Sequence, residues 1–455
     1  MSGIRKFISR RFAYPLQDFY NKTSIISTHQ FLLDSQSWSE SQLLQYQFDK
    51  FRKLVDHAYL NVPYYTKLFR SVGITPEDIK GFDDIAKIPV LSKETARKEN
   101  ANLIAQNPVK GRILKGFTGG TTGPPLKLLR DSTDLSFTWA AFFRWYTWMG
   151  LEIGDPIVKI WGAPTVLTRS FRRGLADELK NWYYNRNMVN SFNLNEQTIR
   201  HVIDRFNAFK PSLIRGYLSA FIQIAEYMKE NNLKLDFKPI AISSTTETLL
   251  EPFRILIEEM FNAPMFDQYG CGECNSIAFE AGDGMGMYVA SEHVYLEILD
   301  DMDKPVTGKE GRIVMTNLDN YIMPFIRYEN GDSGEFSTVT AGRKFNLPLI
   351  KRISGRTADT ITLANGSKVH GVFFTDILRE LFVENPDYIH RFQVYQVVSG
   401  EIEFRIETKK KPDDEYVTKL ENALKRYFTV VKIVITDKLA LDSSGKFRYV
   451  ISKMP

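Results

Sequence analysis

Hydrophobic and polar positions follow a helical rhythm over several long stretches of this chain. Between residues 39 and 60 the apolar residues recur every three or four positions, which predicts an amphipathic helix that ends at Asn61-Val62-Pro63. Residues 133–149 are dense in phenylalanine, tyrosine and tryptophan, which predicts a helix buried on most sides. Two more helices are predicted over residues 220–230 and 250–261.

Short runs with strand character alternate with these helices. They cover residues 157–161, 213–217, 239–243 and 265–269. Alternation of strands and helices predicts an α/β body with several sheets. Further strands are predicted at residues 292–299, 311–317 and 351–353, where β-branched residues are separated by turn-forming Asp and Gly.

The C-terminal hundred residues have a different pattern. Residues 401–407 alternate strictly between charged and apolar side chains, which predicts a strand with one buried face. A helix is predicted over residues 415–428 and another strand over 430–435, so this part forms a small α+β domain. Strand character breaks at 354–359, and we therefore divide the chain into domains at 1–355 and 356–455.

Composition indicates an ordinary globular protein. The chain has 455 residues, of which 43% are hydrophobic and 25% charged, and no run approaches the roughly 18 apolar residues of a membrane span. The net charge of +5 is spread among interleaved acidic and basic residues, so nucleic acid is not an expected partner. The N-terminus lacks the apolar core of a secretory signal, which indicates a cytoplasmic protein.

Residues 4–12 are basic and partly apolar. We favour a solvated helix that packs Phe7 and Phe12 on the protein body. The alternative is weak contact of this helix with an anionic membrane surface.

The strongest candidate for chemistry is the run Thr118-Gly119-Gly120-Thr121-Thr122-Gly123-Pro124-Pro125-Leu126-Lys127. Glycines allow backbone N–H groups to converge on an anion, threonines add hydroxyl donors and the lysine adds a charge, so a phosphate-binding loop is predicted. The run differs from Walker A because Leu128 follows Lys127 in an apparent strand. A hairpin that binds no ligand is the alternative.

Other candidates lie at strand ends. Asp267 to Glu273 combines an aromatic residue, two glycines and a carboxylate where α/β sheets bind ligands, which suits a nucleotide with magnesium. This segment includes Cys271, and Cys274 follows it directly. These two cysteines of the chain form a redox pair, a zinc site with His293, or simple packing at a tight turn. Asp332 could accept ribose hydroxyls or belong to an Asp-Gly turn, and Lys446 lies in a glycine loop.

Taken in chain order, these segments resemble the adenylate-forming superfamily, in particular the phenylacetate-coenzyme A ligases and their relatives in capsular polysaccharide gene clusters. The matching elements are the loop 118–127, the strand end 243–247, Tyr269-Gly270 with Glu273, Gly331-Asp332, Ser354-Gly355-Arg356, and 443–446. The resemblance implies a large N-terminal domain for nucleotide and acid, with several β-sheets flanked by helices, and a small mobile α+β C-terminal domain.

The resemblance also implies residue roles. The nucleotide and magnesium would be held by Thr118, Gly119, Gly120, Thr121, Thr122, Gly123, Lys127, Ser244, Glu247, Tyr269, Gly270, Glu273, Asp332 and Arg356. Among these, Thr118 belongs to the catalytic phosphate loop, Tyr269 stacks on adenine, Glu273 holds Mg²⁺, and Asp332 and Arg356 take the ribose. Lys446 bridges the carboxylate and the α-phosphate. Trp161, Gly162, Tyr217 and Thr245 line the acid pocket, and the hinge falls at Ala358 or Asp359.

The activity implied is ATP-dependent conversion of a carboxylic acid to an acyl-adenylate, with release of pyrophosphate and transfer to coenzyme A. One alternative acceptor is an amine of a sugar or glycan in capsular polysaccharide biosynthesis. A second alternative is a non-catalytic nucleotide-binding protein, which the presence of Glu273, Asp332 and Lys446 disfavours.

Overall fold

The chain forms two compact units in a computed structural model. The first unit comprises residues 1–330 and 335–352, and the second comprises 331–334 and 353–455. The structure describes residues 2–107, 111–117, 126–161, 171–191, 194–356, 360–366, 368–370, 373–374, 377–378, 381, 384–385, 388–389, 391–408, 410–439 and 447–454. Within these ranges no helix combines the length and apolar character needed to cross a membrane. The functional division at 355/356 stays a prediction.

The helices of the first unit begin at the N-terminus. They are α1 (Ser2–Ile8), α2 (Tyr14–Asn21), α3 (Ile25–Ser35), α4 (Glu40–Asn61), α5 (Pro63–Val72), α6 (Lys93–Lys98), α7 (Ser132–Trp148), α8 (Phe171–Tyr183), α9 (Glu196–Phe209), α10 (Leu218–Glu230) and α11 (Glu251–Phe261). Ser39 caps α4 by accepting a hydrogen bond from the Gln42 backbone N–H. The Asp131 side chain accepts from the Thr133 and Asp134 N–H groups at the start of α7.

A five-stranded parallel sheet forms the centre of the first unit. A hairpin of β1 (Leu114–Phe117) and β2 (Lys127–Arg130) precedes it in the chain. The parallel strands are β3 (Ile157–Ile160), β4 (Arg186–Val189), β5 (Leu213–Tyr217), β6 (Ala241–Thr245) and β7 (Met265–Phe266), in the spatial order β4-β3-β5-β6-β7. Their carboxyl ends therefore meet at one edge.

Each face of this sheet packs against helices. Ile157, Leu213 and Ala241 belong to the core that contains the aromatic residues of α7. Val158, Ile214 and Ile242, the next residue on each strand, belong to a second core with α9, α10 and α11. Successive strand residues point to opposite faces, so one face of the sheet is directed at α7.

A seven-stranded sheet completes the first unit and leads into the second. Its strands are β8 (Gln268–Tyr269), β9 (Ala278–Glu280), β10 (Met287–Val289), β11 (Val294–Leu299), β12 (Glu310–Asn317), β13 (Tyr328–Phe336) and β14 (Leu349–Arg356), ordered β11-β12-β13-β14-β10-β9-β8. The run predicted as one strand at 265–269 is thus divided, with Met265–Phe266 in one sheet and Gln268–Tyr269 in the other.

The second unit is a small α+β assembly. It contains the hairpin β15 (Thr360–Thr362) and β16 (Lys368–His370), and the strands β17 (Arg391–Gln396), β18 (Glu401–Glu407), β19 (Val430–Thr436) and β20 (Val450–Ser452), ordered β19-β18-β17-β20. One helix described here, α12 (Asp414–Lys425), lies between β18 and β19 in the chain. The α/β and α+β fold classes predicted from the sequence are confirmed.

The N-terminal helix departs from expectation. Phe7 and Phe12 are 61% and 54% exposed, so the prediction that they pack on the protein body was wrong. The polar residues make the contact instead, because Lys6 forms ion pairs with Asp155 at 2.7 Å and with Glu152 at 3.2 Å. The two phenyl rings contact each other edge to face, with centroids 6.1 Å apart.

Candidate functional site

The candidate site begins where the chain passes from one sheet of the first unit to the other. Asp267 lies between β7 and β8, and its Oδ1 accepts hydrogen bonds from Ser244 Oγ at 3.0 Å and from the Gln268 N–H at 2.9 Å. Burial and the nearby Glu280 carboxylate raise the pKa of Asp267 to about 7. These contacts fix the start of a hairpin, residues 268–279, which carries Tyr269, Gly270 and Glu273.

Tyr269 is held in one orientation by its hydroxyl. The residue is buried, and Asn330 Nδ2 on β13 donates a hydrogen bond of 2.7 Å to Tyr269 Oη. At Gly270 a Cβ would come within 3.0 Å of the Ser276 backbone nitrogen, so glycine allows the loop to return closely past this position. The aromatic ring is therefore positioned before any ligand arrives.

Glu273 provides a buried carboxylate at the turn of the hairpin. It is 4% exposed, and its Oε1 accepts a hydrogen bond of 2.6 Å from the Tyr328 hydroxyl. Burial, followed by the charge of Glu273, raises the pKa of the Tyr328 phenol above its usual value, so Tyr328 stays protonated and donates. Among the described residues no cation forms an ion pair with Glu273.

This carboxylate fits magnesium carried by a nucleotide. Mg²⁺ is commonly bound by one or two protein carboxylates together with substrate phosphates and water. In the described part of the chain no three His, Cys, Asp or Glu side chains converge as metal ligands. A hydrogen-bonded carboxylate with no basic partner there suits a cation whose other ligands come from ATP.

The two cysteines stabilise the same turn. The Cys271 N–H donates to the Cys274 carbonyl at 2.9 Å, and Cys274 is fully buried. His293 is engaged elsewhere, since its Nδ1 lies 2.8 Å from Asp319 Oδ2 and its Nε2 lies 3.4 Å from Thr138 Oγ1. Burial raises the pKa of the Cys274 thiol well above its ordinary value, which disfavours the thiolate that zinc or redox chemistry requires. Packing at a tight turn describes these residues best.

The end of β6 carries a strained backbone. Thr246 has φ of 76°, a conformation that β-branched residues rarely adopt and that costs of the order of 1–3 kcal/mol. The next residue, Glu247, accepts hydrogen bonds from the Ser219 N–H at 3.0 Å and the Ser219 hydroxyl at 2.9 Å, at the start of α10. Ser244 is fully buried and bonded to Asp267. Both side chains thus have structural partners, and nucleotide binding by them stays a prediction.

Three predicted acid-pocket residues lie at the carboxyl ends of neighbouring strands. The rings of Trp161, directly after β3, and Tyr217, at the end of β5, contact each other with centroids 4.8 Å apart. Thr245 ends β6 in register with Tyr217, and its hydroxyl accepts a hydrogen bond from Gln268 Nε2. Burial, and then the charge of Glu247, raises the pKa of Tyr217, which therefore stays a neutral phenol.

Sequence comparison finds relatives along most of the chain. The chain is 24% identical over 430 residues to protein CapK of Staphylococcus aureus, covering 91% of this chain and 90% of CapK. It is 26% identical over 359 residues to the phenylacetate-coenzyme A ligase of Aromatoleum evansii, covering 76% of this chain and 77% of that ligase. No family model matches the chain.

Structure comparison finds a solved structure with the same fold. A crystal structure of 2-hydroxyisobutyryl-CoA ligase in the postadenylation state, in complex with R3-HIB-AMP, matches with a TM-score of 0.74 and 17% identity over 92% of each chain. The chain is thus similar in sequence to CapK and to phenylacetate-coenzyme A ligases, and similar in fold to an adenylate-forming ligase. This confirms the family resemblance and the fold that the ordered motifs predicted, whereas the roles of individual residues stay predictions.

For several other predicted site residues the structure gives only the position in a strand or the exposure of the side chain. Lys127 begins β2 with an exposed side chain, and its carbonyl accepts a hydrogen bond of 2.9 Å from Asn100. Asp332 lies on β13 and is half-buried, and Arg356 ends β14. The remaining predicted residues lie outside the described part of the chain: Thr118, Gly119, Gly120, Thr121, Thr122, Gly123, Gly162, Ala358, Asp359, Lys446, and the side chain of Arg356.

Tyr328 and Asn330, which contact Glu273 and Tyr269, were not predicted from the sequence, and neither were two basic residues of the parallel sheet, Arg215 and Lys159. Tyr328 and Asn330 lie four and two residues before Asp332 on the same strand, β13. Alternation along a strand predicts that both side chains share one face. Arg215 and Lys159 are basic residues within apolar strand runs, which is an unusual place for a charge. A charged residue within an apolar strand is thus a sequence signal by which Lys159 and Arg215 could have been found.

Proposed function

We propose that this protein activates a carboxylic acid with ATP. In the first step a carboxylate oxygen bonds to the α-phosphorus, the bond between that phosphorus and the bridging oxygen breaks, and pyrophosphate leaves. In the second step an acceptor attacks the acyl carbon and AMP leaves. The observation that carries the proposal is the buried Glu273 carboxylate on the hairpin that also carries Tyr269, in a chain similar to phenylacetate-coenzyme A ligases.

Different residues of this chain are assigned to different parts of the substrates in the adenylation step. We assign the β- and γ-phosphates to the loop from Thr118 to Lys127 and the adenine to the ring of Tyr269, which Asn330 already orients. Glu273 would hold magnesium, and the ion would supply positive charge that neutralises the phosphates of ATP. Asp332 and Arg356 are assigned to the ribose.

Lys446 is assigned to the reacting carboxylate. Its ammonium group would lie between the carboxylate and the α-phosphate, where negative charge concentrates in the transition state. The resemblance places this lysine in the small C-terminal domain, which would deliver it for adenylation and withdraw it for transfer. Lys446 would thus act in the first half reaction alone.

Coenzyme A is the acceptor that the related ligases favour. Its thiol sulfur would form a thioester with the acyl carbon, losing its proton as AMP leaves. The similarity to CapK over 91% of this chain keeps a second acceptor open, an amine on a sugar or glycan that gives an amide. Coenzyme A and ATP are both cytoplasmic metabolites, so we propose the cytoplasm as the site of action.

The exposed aromatic residues of the N-terminal helices favour contact with a membrane surface as well. Phe7, Phe12 and Phe19 are all more than half exposed, and Arg11 lies among them, while Lys6 and Arg10 hold the segment to Glu152. We propose that this face touches an anionic membrane surface, where aromatic rings insert and the remaining cation is attracted. Sedimentation with anionic vesicles should carry the protein down, and Phe7→Asp with Phe19→Asp should prevent it. No sedimentation of the unaltered protein would contradict the contact.

The experiment for the proposed function has two stages. Pyrophosphate release is first measured with ATP, Mg²⁺ and a panel of aryl, fatty, amino and sugar acids. Acid-dependent release supports the proposal, and absence of release with every acid would support the non-catalytic alternative. The acyl-adenylate is then offered coenzyme A or amino sugars, and mass spectrometry identifies a thioester or an amide.

A further inference from the structure

Three polar residues form a row across the face of the parallel sheet that is directed at α7. Lys159 on β3 is in register with Arg215 on β5, and Arg215 is in register with Ser243 on β6. Residues in register on adjacent strands share a face and lie about 5 Å apart. We call these three residues the cationic row.

The face of the sheet follows from the neighbouring positions. Ile157, Leu213 and Ala241 lie two residues before the members of the row on the same strands, and they pack in the core with α7. Side chains two residues apart along a strand point to the same side. The row is therefore directed at the aromatic helix α7.

Arg215 is buried without an acidic partner. It is 5% exposed, its Nη1 donates to Tyr146 Oη at 3.0 Å, and its Nη2 donates to Gln268 Oε1 at 3.3 Å. Its guanidinium carbon lies 4.1 Å from the centroid of Phe142. The Nε atom has no hydrogen-bond partner within the described ranges of the chain. A buried arginine ordinarily faces a carboxylate, and here its polar partners are neutral.

Lys159 and Ser243 also carry polar groups that no described residue satisfies. Lys159 is half-buried, its Nζ lies 5.0 Å from the centroid of Trp139, and no described residue pairs with it by hydrogen bond or ion pair. Burial, and then repulsion by Arg215 and Arg186, lowers the pKa of Lys159 to about 7. Ser243 is fully buried, and in the part of the chain that the structure describes its hydroxyl also has no hydrogen-bond partner. Two cations and a hydroxyl thus face one place, with no anion among the described residues to satisfy them.

The position of the row relates it to the acid pocket. Trp161, Tyr217 and Thr245 each come two residues after a member of the row, so the row lies about 7 Å deeper from the carboxyl ends of the strands. Gln268 joins the two levels, since it accepts from Arg215 and donates to Thr245. A molecule that entered between Trp161 and Thr245 would meet the row at its far end.

We propose that the cationic row binds a second anionic group on the acid substrate, so that this enzyme acts on acids that carry a carboxylate or phosphate distal to the reacting carboxylate. The inference rests on the proposed function for the identity of the reacting group. The rival interpretation is that Lys159 and Arg215 serve only the packing of α7, through the faces of Trp139 and Phe142. Only the first interpretation predicts discrimination between acids by charge.

Matched pairs of acids test the inference. Hexanoate, adipate and 6-phosphonohexanoate share a chain length and differ in the distal group, and shorter and longer pairs cover other depths. We expect kcat/KM for pyrophosphate release to favour the acids with the second anion by at least roughly tenfold, as a charge-assisted hydrogen bond allows. Whichever of adipate and the phosphonate has the higher kcat/KM identifies the anion that the cationic row prefers.

Variants connect that preference to the row. Lys159→Met should reduce the ratio of adipate to hexanoate turnover at least tenfold, and Lys159→Arg should restore most of it. Lys229→Met, on the exposed surface of α10, is the matched control and should leave the ratio unchanged. Equal use of adipate and hexanoate by the unaltered enzyme, or a ratio that Lys159→Met does not alter, would overturn the inference.

A binding measurement separates this inference from the proposed function. Adipate should raise the melting temperature of the unaltered protein more than hexanoate does, and should lose this advantage with Lys159→Met. If adipate stabilises the protein in this way but no acid releases pyrophosphate, the cationic row stands and the proposed function fails. If acids release pyrophosphate but the second anion gives no advantage in either measurement, the function stands and the row is structural.

Discussion

The hairpin at residues 268–279, to which we assign the nucleotide, and the cationic row are linked by the hydrogen bond from Arg215 to Gln268, but they satisfy their polar groups in opposite ways. In the hairpin, Glu273 accepts from Tyr328 and Tyr269 accepts from Asn330, so protein groups orient both side chains. In the row, the Nε of Arg215 and the hydroxyl of Ser243 have no hydrogen-bond partner among the described residues. In our proposals, the hairpin is oriented in advance for ATP, whereas the row is completed by an anion of the acid substrate.

The difference teaches where specificity resides. Orienting groups by hydrogen bonds within the protein costs nothing when the ligand binds, which suits the ATP that all adenylating enzymes share. Buried donors without partners are costly, and they are retained where a particular ligand compensates for them. We therefore expect changes in the hairpin to affect all acids alike, and changes in the row to affect acids according to charge.

The largest effect is expected at Lys446. Lys446→Ala should slow adenylation by on the order of a hundredfold or more, because one transition-state cation is lost. The loss should be equal for hexanoate and adipate, since this lysine serves the reacting carboxylate. Transfer from a presynthesised acyl-adenylate should survive. Equal loss in both half reactions would reject the assignment of Lys446 to adenylation.

A slightly smaller effect is expected at Glu273. Glu273→Gln preserves shape and removes charge, and it should lower magnesium-dependent adenylation by roughly tenfold to a hundredfold for every acid. AMP affinity, measured by calorimetry, should stay nearly unchanged because AMP lacks the β- and γ-phosphates. Glu259→Gln, an exposed glutamate on α11, is the matched control. An unaltered magnesium requirement in Glu273→Gln would remove Glu273 from the metal site.

Tyr328→Phe should have a more modest effect. Loss of the hydroxyl leaves the buried Glu273 carboxylate without its donor, at a cost of about 1–3 kcal/mol shared between stability and magnesium binding. We expect a few-fold rise in the magnesium concentration needed for half-maximal rate. Tyr227→Phe on α10 is the control. No shift in the magnesium titration would mean that Tyr328 does not position Glu273 for the cation.

The smallest effect concerns stability and pH. The pKa of Lys159 is lowered to about 7 in the folded protein by burial, Arg215 and Arg186. Below pH 7 the amine is charged in both the folded and unfolded states, so Lys159→Met should be the more stable protein, by on the order of 1 kcal/mol. Above pH 7 the folded protein holds fewer protons than the unfolded chain, so the unaltered protein gains stability as the pH rises.

The advantage of Lys159→Met should therefore shrink between pH 7 and pH 10. Thermal unfolding at pH 6, 7.5 and 9, in buffers without carboxylates, measures the difference in stability between Lys159→Met and the unaltered protein. Lys229→Met is the control. A stability difference that stays constant with pH would show that the charge of Lys159 is not costly in the folded state.

Local patterns were sufficient to predict much of the fold. The helix α4, the aromatic helix α7 and the strands β5 and β18 were predicted from periodicity, because each is set by the side chains within its own segment. The ordered motifs also predicted the family.

Features that depend on distant contacts were not predicted. The run 265–269 reads as one strand, yet Asp267 divides it between two sheets because Ser244 and Glu280 bind it from either side. Tyr328 and Glu273 meet although they are 55 positions apart. The cationic row requires the register of three separate strands, which no single segment specifies. The exposure of Phe7 and Phe12 was also not predicted. It depends on the acidic residues Glu152 and Asp155, which are distant in the chain and form ion pairs with the polar side of this segment.

The most direct test of the account follows oxygen through the first half reaction. An accepted acid labelled with ¹⁸O in its carboxylate is incubated with ATP, Mg²⁺ and the enzyme, and the products are analysed by mass spectrometry after transfer to the acceptor. Attack of the carboxylate on the α-phosphorus predicts one ¹⁸O atom in AMP and none in pyrophosphate. Formation of ADP, with ¹⁸O in inorganic phosphate, would indicate an acyl-phosphate route and contradict the assignment as an adenylating enzyme.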